Sequence, residues 1–387
     1  MRAVEIKKNI YWVGGIDWDL RNFHGYITPR GSTYNAYLII DKKVTLVDTV
    51  KHYLFDEMME RIKAVIDPSR IDYIVSNHVE MDHSGALPMI AKAAPQAVIL
   101  TSPNGVKGLR QHFGEIPNLQ VVDGQGSINI GERTLKFALM QMVHWPDSMA
   151  TYIPEDKLLL PNDAFGQHIA TSERFDDEIG WDIVSEEAAK YYGNIVLPYG
   201  RQVDAVLKAV ATLDVDMIAP SHGLIWRKYI PKIVECYGRW ANNVCKNKAT
   251  VVYDTMWDST RKIAVAIERA LDEKGISFKS FNLKHSEISE VMSDVLESKY
   301  VFIGSSTLNN NMLPTVAGFL TYMKGLAPKN RTGLAFGSYG WGGQSIDQIN
   351  EVMKAGGFTV LDPVKVQYIP TGEILNGITE KIKEGLK

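Results

Sequence analysis

"IDYIVSNHVEMDHSG", residues 71–85, decides the fold. Its first six residues are rich in apolar and β-branched side chains and read as a strand. His78, Glu80, Asp82 and His83 then crowd into six positions. As a solvated turn this composition is ordinary. At the end of a rigid strand, it presents nitrogen and oxygen ligands as a metal site needs them.

The rest of the first 250 residues supplies further ligands in the same setting. "MVHWPDS" puts His144 after a strand-like run, "LLLPNDAFG" puts Asp163 after another, and "IAPSHG" puts His222 after a third. Loops that follow strands are held firmly enough for metal coordination. Seven ligands are too many for one tetrahedral ion and suit two, with Asp163 as the bridge, because each carboxylate oxygen can bind one ion. His52, His112 and His285 sit among charged or polar neighbours and read as surface residues. His24, in "RNFHGY", reads equally as a packed histidine and as a proton donor. Asp48, closing "TLVD", reads as a plain strand-end acid or as a group orienting a ligand histidine.

A chain of 387 residues exceeds what one core usually serves, so two domains are expected. A composition 45% hydrophobic and 22% charged is that of a globular protein. The net charge of -3, with scattered lysines and arginines, argues against a nucleic-acid partner. No stretch approaches the roughly 20 apolar residues that span a bilayer. The start "MRAVEIKKNIYWVGG" lacks a secretory pattern, so no membrane association and a cytoplasmic location are expected. Two cysteines, Cys236 and Cys245, imply neither a disulfide framework nor a cysteine-ligated metal.

Beyond the polar stretch 245–250, read as the junction, the rhythm becomes regular. Five short apolar runs alternate with helical ones, which argues a doubly wound parallel sheet. The expected domains are 1–248 and 249–387. The loop "TMWDST" (Thr255, Met256, Trp257, Asp258, Ser259, Thr260) joins the first strand of this half to its first helix. Hydroxyls and free helix N–H groups there make an anion site suited to a phosphate monoester, although an ordinary helix cap has the same residues. Ser306, Thr307, Leu308, Asn309 and Asn310 follow the third strand, and Ser338, Tyr339, Gly340, Trp341, Gly342 and Gly343 follow the fourth. Both loops lie where parallel sheets bind ligands.

The seven ligands resemble those of the metallo-β-lactamase superfamily, and a glutamate at position 80, where that superfamily usually has histidine, resembles the flavodiiron proteins. The resemblance covers essentially the whole chain. It implies an αββα sandwich followed by a flavodoxin-like domain. It assigns His78, Glu80 and His144 to one iron, Asp82, His83 and His222 to the other, and Asp163 between them, with an oxo or hydroxo bridge. The later loops are similar to those that hold FMN in flavodoxins, with Asp258 and Asn311 as departures. Glu80 also has a physical meaning. Zinc hydrolases favour neutral imidazoles, whereas a third carboxylate favours iron and stabilises its ferric state.

The implied activity is reduction of dioxygen to water or nitric oxide to nitrous oxide, with electrons from rubredoxin, a reduced deazaflavin or another carrier. The implied assembly is a head-to-tail homodimer or a dimer of dimers. No rubredoxin-type cysteine pair is present, which fits the minimal two-domain class. A zinc hydrolase with an attached flavodoxin module and a non-catalytic electron carrier stand as alternatives.

Overall fold

In the computed structural model, which describes residues 1–124 and 126–386, a first sheet of seven strands lies in chain order. These are β1 (Val4–Lys7), β2 (Ile10–Trp12), β3 (Tyr37–Ile39), β4 (Val44–Val47), β5 (Ile71–Ser76), β6 (Val98–Thr101) and β7 (Leu119–Val121). Pairing is antiparallel from β1 to β4 and parallel from β4 to β7. The change follows from the connections. Helices Phe55–Lys63, Leu87–Ala93 and Pro103–Phe113 lie between the later strands, and parallel pairing requires such crossovers.

A second sheet of five strands runs β8 (Ser127–Asn129), β9 (Thr134–Leu139), β10 (Met149–Ile153), β11 (Leu158–Leu160) and β12 (Met217–Ile218). Alternation along the first sheet sorts its side chains into two cores. Leu38, Leu46, Ile74 and Ile99 are cross-strand neighbours and pack with Met58, Ile62, Ile90 and Leu109 of the helices. Their sequence neighbours Tyr37, Val47, Val75 and Leu100 face the opposite way, onto Phe137, Met149, Ile153 and Leu160 of the second sheet. The two sheets therefore stack face to face.

The third sheet is wholly parallel, built from β13 (Lys246–Tyr253), β14 (Ser277–Asn282), β15 (Ser298–Gly304), β16 (Thr332–Tyr339), β17 (Thr359–Val360) and β18 (Val364–Gln367). Its order is β14-β13-β15-β16-β17, with β18 also on β16, the doubly wound order of flavodoxins. Val251, Phe302, Leu334 and Phe336 form a core with Ile263, Ile267 and Leu271 of helix Ser259–Glu273 and Ile378 and Ile382 of helix Gly372–Gly385.

The chain divides into two compact units, one made of Met1–Phe23, Thr28–Tyr191 and Arg201–Gly238, the other of His24–Ile27, Tyr192–Gly200 and Arg239–Lys387. The stretch 245–250 thus lies inside the second unit, mostly in β13. Its linker-like polarity belongs to the exposed start of a strand whose residues from Ala249 onward are buried. The helix that precedes β15 ends at Val295, because Ser298 already begins that strand. No helix among the described residues is long and apolar enough to cross a membrane.

Candidate metal centre and flavin cleft

Strand β5 ends at Ser76, and the chain then winds into a single helical turn, Met81–Ser84. Two bonds set that turn: the amide of Ser84 donates to the Glu80 carbonyl at 2.8 Å, and its hydroxyl to the Val79 carbonyl at 2.6 Å. Glu80 stands at the mouth of the turn, while Asp82 and His83 project from within it. Asp147 secures the preceding residues, one carboxylate oxygen lying 2.8 Å from both Val79 N and His78 Nδ1. The other ring nitrogen of His78, Nε2, is left to face Glu80 and Asp163.

Asp48 acts on amides and not on a ring. Its carboxylate accepts from Asn77 N at 2.8 Å, Asn77 Nδ2 at 3.1 Å and Asn162 Nδ2 at 3.3 Å. One buried acid thereby ties together the residues just before His78 and Asp163. Burial pushes the Asp48 pKa up, against the pull of His83 and the two asparagines. The ring-orienting role that sequence offered to Asp48 falls to Asp147, which sequence reading passed over, although it stands three residues after His144 in "HWPDS". His222 is oriented differently, its Nδ1 lying 3.0 Å from the Thr33 carbonyl. Gly223 follows with φ 75°, where a Cβ would sit 1.9 Å from Gln167 Oε1, so no larger residue fits.

All seven predicted ligands are buried and fall into two groups: His78, Glu80, His144 and Asp163, and Asp82, His83 and His222. Asp163 faces both. Its Oδ2 lies 3.5 Å from His78 Nε2 and 3.3 Å from His144 Nε2, while its Oδ1 lies 3.0 Å from His83 Nε2 and 3.2 Å from His222 Nε2. Glu80 Oε2 closes the first group at 3.3 Å from His78 and 3.5 Å from His144. Asp82 Oδ2 closes the second at 3.3 Å from both His83 and His222. Separations of this size are the ligand-to-ligand edges that metal bonds of about 2.0–2.2 Å generate.

The donor atoms fit a pair of cations. Both oxygens of Asp82, both ring nitrogens of His83 and Oδ2 of Asp163 are buried without a hydrogen-bond partner, a costly arrangement that a bound ion relieves. Protons stand in for the ions electrostatically. Burial disfavours charge on His78, yet Asp147, Glu80 and Asp163 hold its pKa well above the usual range. Burial acts likewise on His222, and Asp163 and Asp82 push its pKa up to about 10. Burial alone would raise both acids. His83 and His222 instead hold Asp82 far below the carboxylate range, and His83, His144 and His222 do the same to Asp163. His24 lies in neither group. It occupies the exposed turn between Asn22–Phe23 and Tyr26–Ile27, at φ 50°.

In the second unit, a cavity of about 880 Å³ opens at the carboxyl ends of the parallel strands, fronted by the three predicted loops. Met256, Trp257, Ser259, Ser306, Thr307, Asn309, Asn310 and residues 338–342 line it, with Tyr368 and Ile369, which sequence reading missed because they belong to a short fourth loop after β18. Trp257 and Trp341 are 88% and 91% exposed, an apolar display that marks a binding surface. Thr255, Asp258, Thr260, Leu308 and Gly343 do not front the cavity. Thr260 lies beneath it, its hydroxyl 3.0 Å from Ser306 Oγ and 3.1 Å from Ser338 Oγ, joining all three loops.

The phosphate end fits too. Helix Ser259–Glu273 starts without a side-chain cap, and the buried Thr255 hydroxyl has no partner, so donors remain for an anion. Asp258 adopts φ 61° at the cap position and is exposed. Asp254, also unread from sequence, accepts from Thr255 N at 2.6 Å and Thr315 Oγ1 at 2.5 Å and so shapes the loop from below.

Both halves have recognisable relatives. Residues 33–223 match the family model described as ODP family beta lactamase, and residues 251–380 match the flavodoxin model. A nitric oxide reductase of Moorella thermoacetica is 45% identical, over 97% of this chain and 96% of its own length. A rubredoxin-oxygen oxidoreductase of Megalodesulfovibrio gigas is 41% identical, over 100% and 99%. The crystal structure of the flavodiiron protein from Giardia intestinalis superposes with a TM-score of 0.96 at 34% identity, covering 99% of this chain and 96% of that one. These matches bear out the expected αββα sandwich and flavodoxin-like sheet. With the same two modules in the same order and likeness running nearly end to end, the chain belongs to the flavodiiron protein family.

Proposed function

We propose that this chain is an oxidoreductase that reduces dioxygen to water or nitric oxide to nitrous oxide. Its metal-binding domain comes first and its flavin domain second, divided near the expected 248/249 boundary, with Lys246–Lys248 already in the first strand of the flavin side. When bound, FMN and a di-iron centre supply the one- and two-electron transfers of such a reaction. The observation that carries the reading is Asp163, whose two oxygens address opposite groups of buried ligands. Relatives named for oxygen and nitric oxide reduction support it.

The chain's own contribution is positional. Three carboxylates and four imidazoles bind two cations. Asp147 and the Thr33 carbonyl set the ring orientations of His78 and His222. Burial of every ligand keeps bulk water from competing for the reacting diatomic. His24, an exposed imidazole, is the candidate proton donor. In the second unit, Ser306 and Ser338, backed by the Thr260 hydroxyl, and the uncapped helix would hold the phosphate end of a bound flavin, and Trp257 and Trp341 would flank its ring.

Rubredoxin or a reduced deazaflavin serves as electron donor in this reading, and the Megalodesulfovibrio gigas relative carries rubredoxin in its name. The assembly is a head-to-tail homodimer or a dimer of dimers, since electron transfer weakens steeply with distance and two-fold symmetry is the commonest route to close approach. The setting is the cytoplasm. Iron and FMN quantification, followed by anaerobic consumption assays with dioxygen and nitric oxide and reduced rubredoxin, tests the proposal. About two irons and one FMN per chain with turnover of either gas are expected. Zinc without iron, together with ester or thioester hydrolysis, would favour the hydrolase instead.

A further inference from the structure

The two groups of ligands are not surrounded alike. His78 shares its outer nitrogen with a carboxylate, Asp147 Oδ2 at 2.8 Å. His222, in the other group, shares its outer nitrogen with a neutral carbonyl, Thr33 O at 3.0 Å. A carboxylate on the far side of a ligand imidazole makes the ring a stronger electron donor to a metal than a carbonyl does. Among the described residues, the outer nitrogen of His83 has no hydrogen-bond partner of either kind.

A second feature acts on the opposite side. Lys51 is half-buried, its Nζ 4.7 Å from the Tyr34 ring centre, 5.4 Å from Phe23 and 5.8 Å from Tyr53, a cage suited to an ammonium. The Tyr34 ring meets the His222 ring edge-on at 5.5 Å. The cation therefore stands behind the second group. Burial lowers the Lys51 pKa, while Asp82, Asp17 and Glu80 oppose that, Asp82 most strongly. Asp48 also projects a field toward His83, but its bonds go to the amides of Asn77 and Asn162 and not to a ligand ring.

We infer that Asp147 and Lys51 make the two metal positions electrostatically unequal, so that iron held by His78, Glu80 and His144 stays ferric at potentials where iron held by Asp82, His83 and His222 is already ferrous. The His222 position would then be the easier of the two to reduce and the His78 position the harder. The inference rests on the di-iron reading above.

The test is a redox titration of the holoenzyme at neutral pH, followed by the EPR signal of the half-reduced pair, for the wild type, Asp147→Asn and Lys51→Met. Two separated iron midpoints are expected for the wild type. Loss of the Asp147 charge raises the lower midpoint, and loss of the Lys51 charge lowers the upper one, so both variants narrow the gap. A tenfold change in the stability of the half-reduced state would appear as about 59 mV for a one-electron couple. A wider gap in either variant reverses the assignment, and equal movement of both midpoints removes it. Should Asp147→Asn fail to hold iron, Lys51→Met, which leaves all seven ligands in place, still gives the sign. Iron content measured first separates the two failures: a wild type without iron sinks the di-iron reading itself, whereas a loaded enzyme with the wrong sign sinks only this inference.

Discussion

Asp163 is the residue on which both ligand groups depend, and its replacement has a distinct signature. Asp163→Ala is expected to lose both irons while keeping FMN at wild-type stoichiometry, measured by metal analysis and flavin absorbance. Retention of two irons would show that the carboxylate does not bridge. Protons compete for the same atoms, which makes the metal-free protein sensitive to pH. His222 has its pKa raised from 6.5 to about 10, so its contribution to stability is complete below pH 6.5 and is lost as the pH climbs toward 10. Asp82 and Asp163 are depressed below 3.8. Their contribution is complete above that value and is lost in stronger acid. The chelator-stripped protein should therefore melt progressively lower from pH 6.5 to pH 10. Iron uptake should release protons and tighten over the same interval. A flat melting profile with no proton release would count against a protonated imidazole at position 222.

Helix Ser259–Glu273, the loop after β15 and the end of β16 meet through three hydroxyls, Thr260, Ser306 and Ser338. Thr260→Val keeps the shape but leaves two buried serines short of a partner, at a cost of about 1–3 kcal/mol. FMN affinity is expected to fall by roughly tenfold or more, read by fluorescence titration of the apoflavoprotein, with iron content unchanged. An unaltered affinity would mean that the phosphate lies elsewhere. The loops around this cluster were legible in the sequence because glycines, serines and asparagines interrupt an otherwise regular alternation. Strand β10, "MATYI", was not legible, since it is short and follows a loop of mixed character. Residues Tyr368 and Ile369 escaped for a related reason: β18 is four residues of alternating polarity, too brief to announce the loop it leads into.

Each unit has its own core, so ligands should stabilise them independently. The proposed head-to-tail dimer has a sharper consequence. Mixing an iron-free Asp163→Ala protein with a flavin-depleted Thr260→Val protein, under conditions where subunits exchange, should restore part of the activity that neither has alone. Activity should also fall on dilution below the dimer dissociation constant. No recovery in mixed dimers, with subunit exchange verified, would mean that flavin and irons cooperate within one chain.

The chemistry of the site was local information: the ligands stand directly after apolar runs, and a strand that ends in such a loop declares both its burial and its ligands. For that reason the types of the seven groups and the alternation of the flavodoxin-like half were readable without coordinates. Which atoms face one another was not. Asp163 divides its oxygens between two groups, Asp147 backs His78, and Lys51 stands behind His222 through Tyr34, all across long stretches of chain. Such pairings depend on how two sheets stack, and no spacing along the sequence encodes that angle.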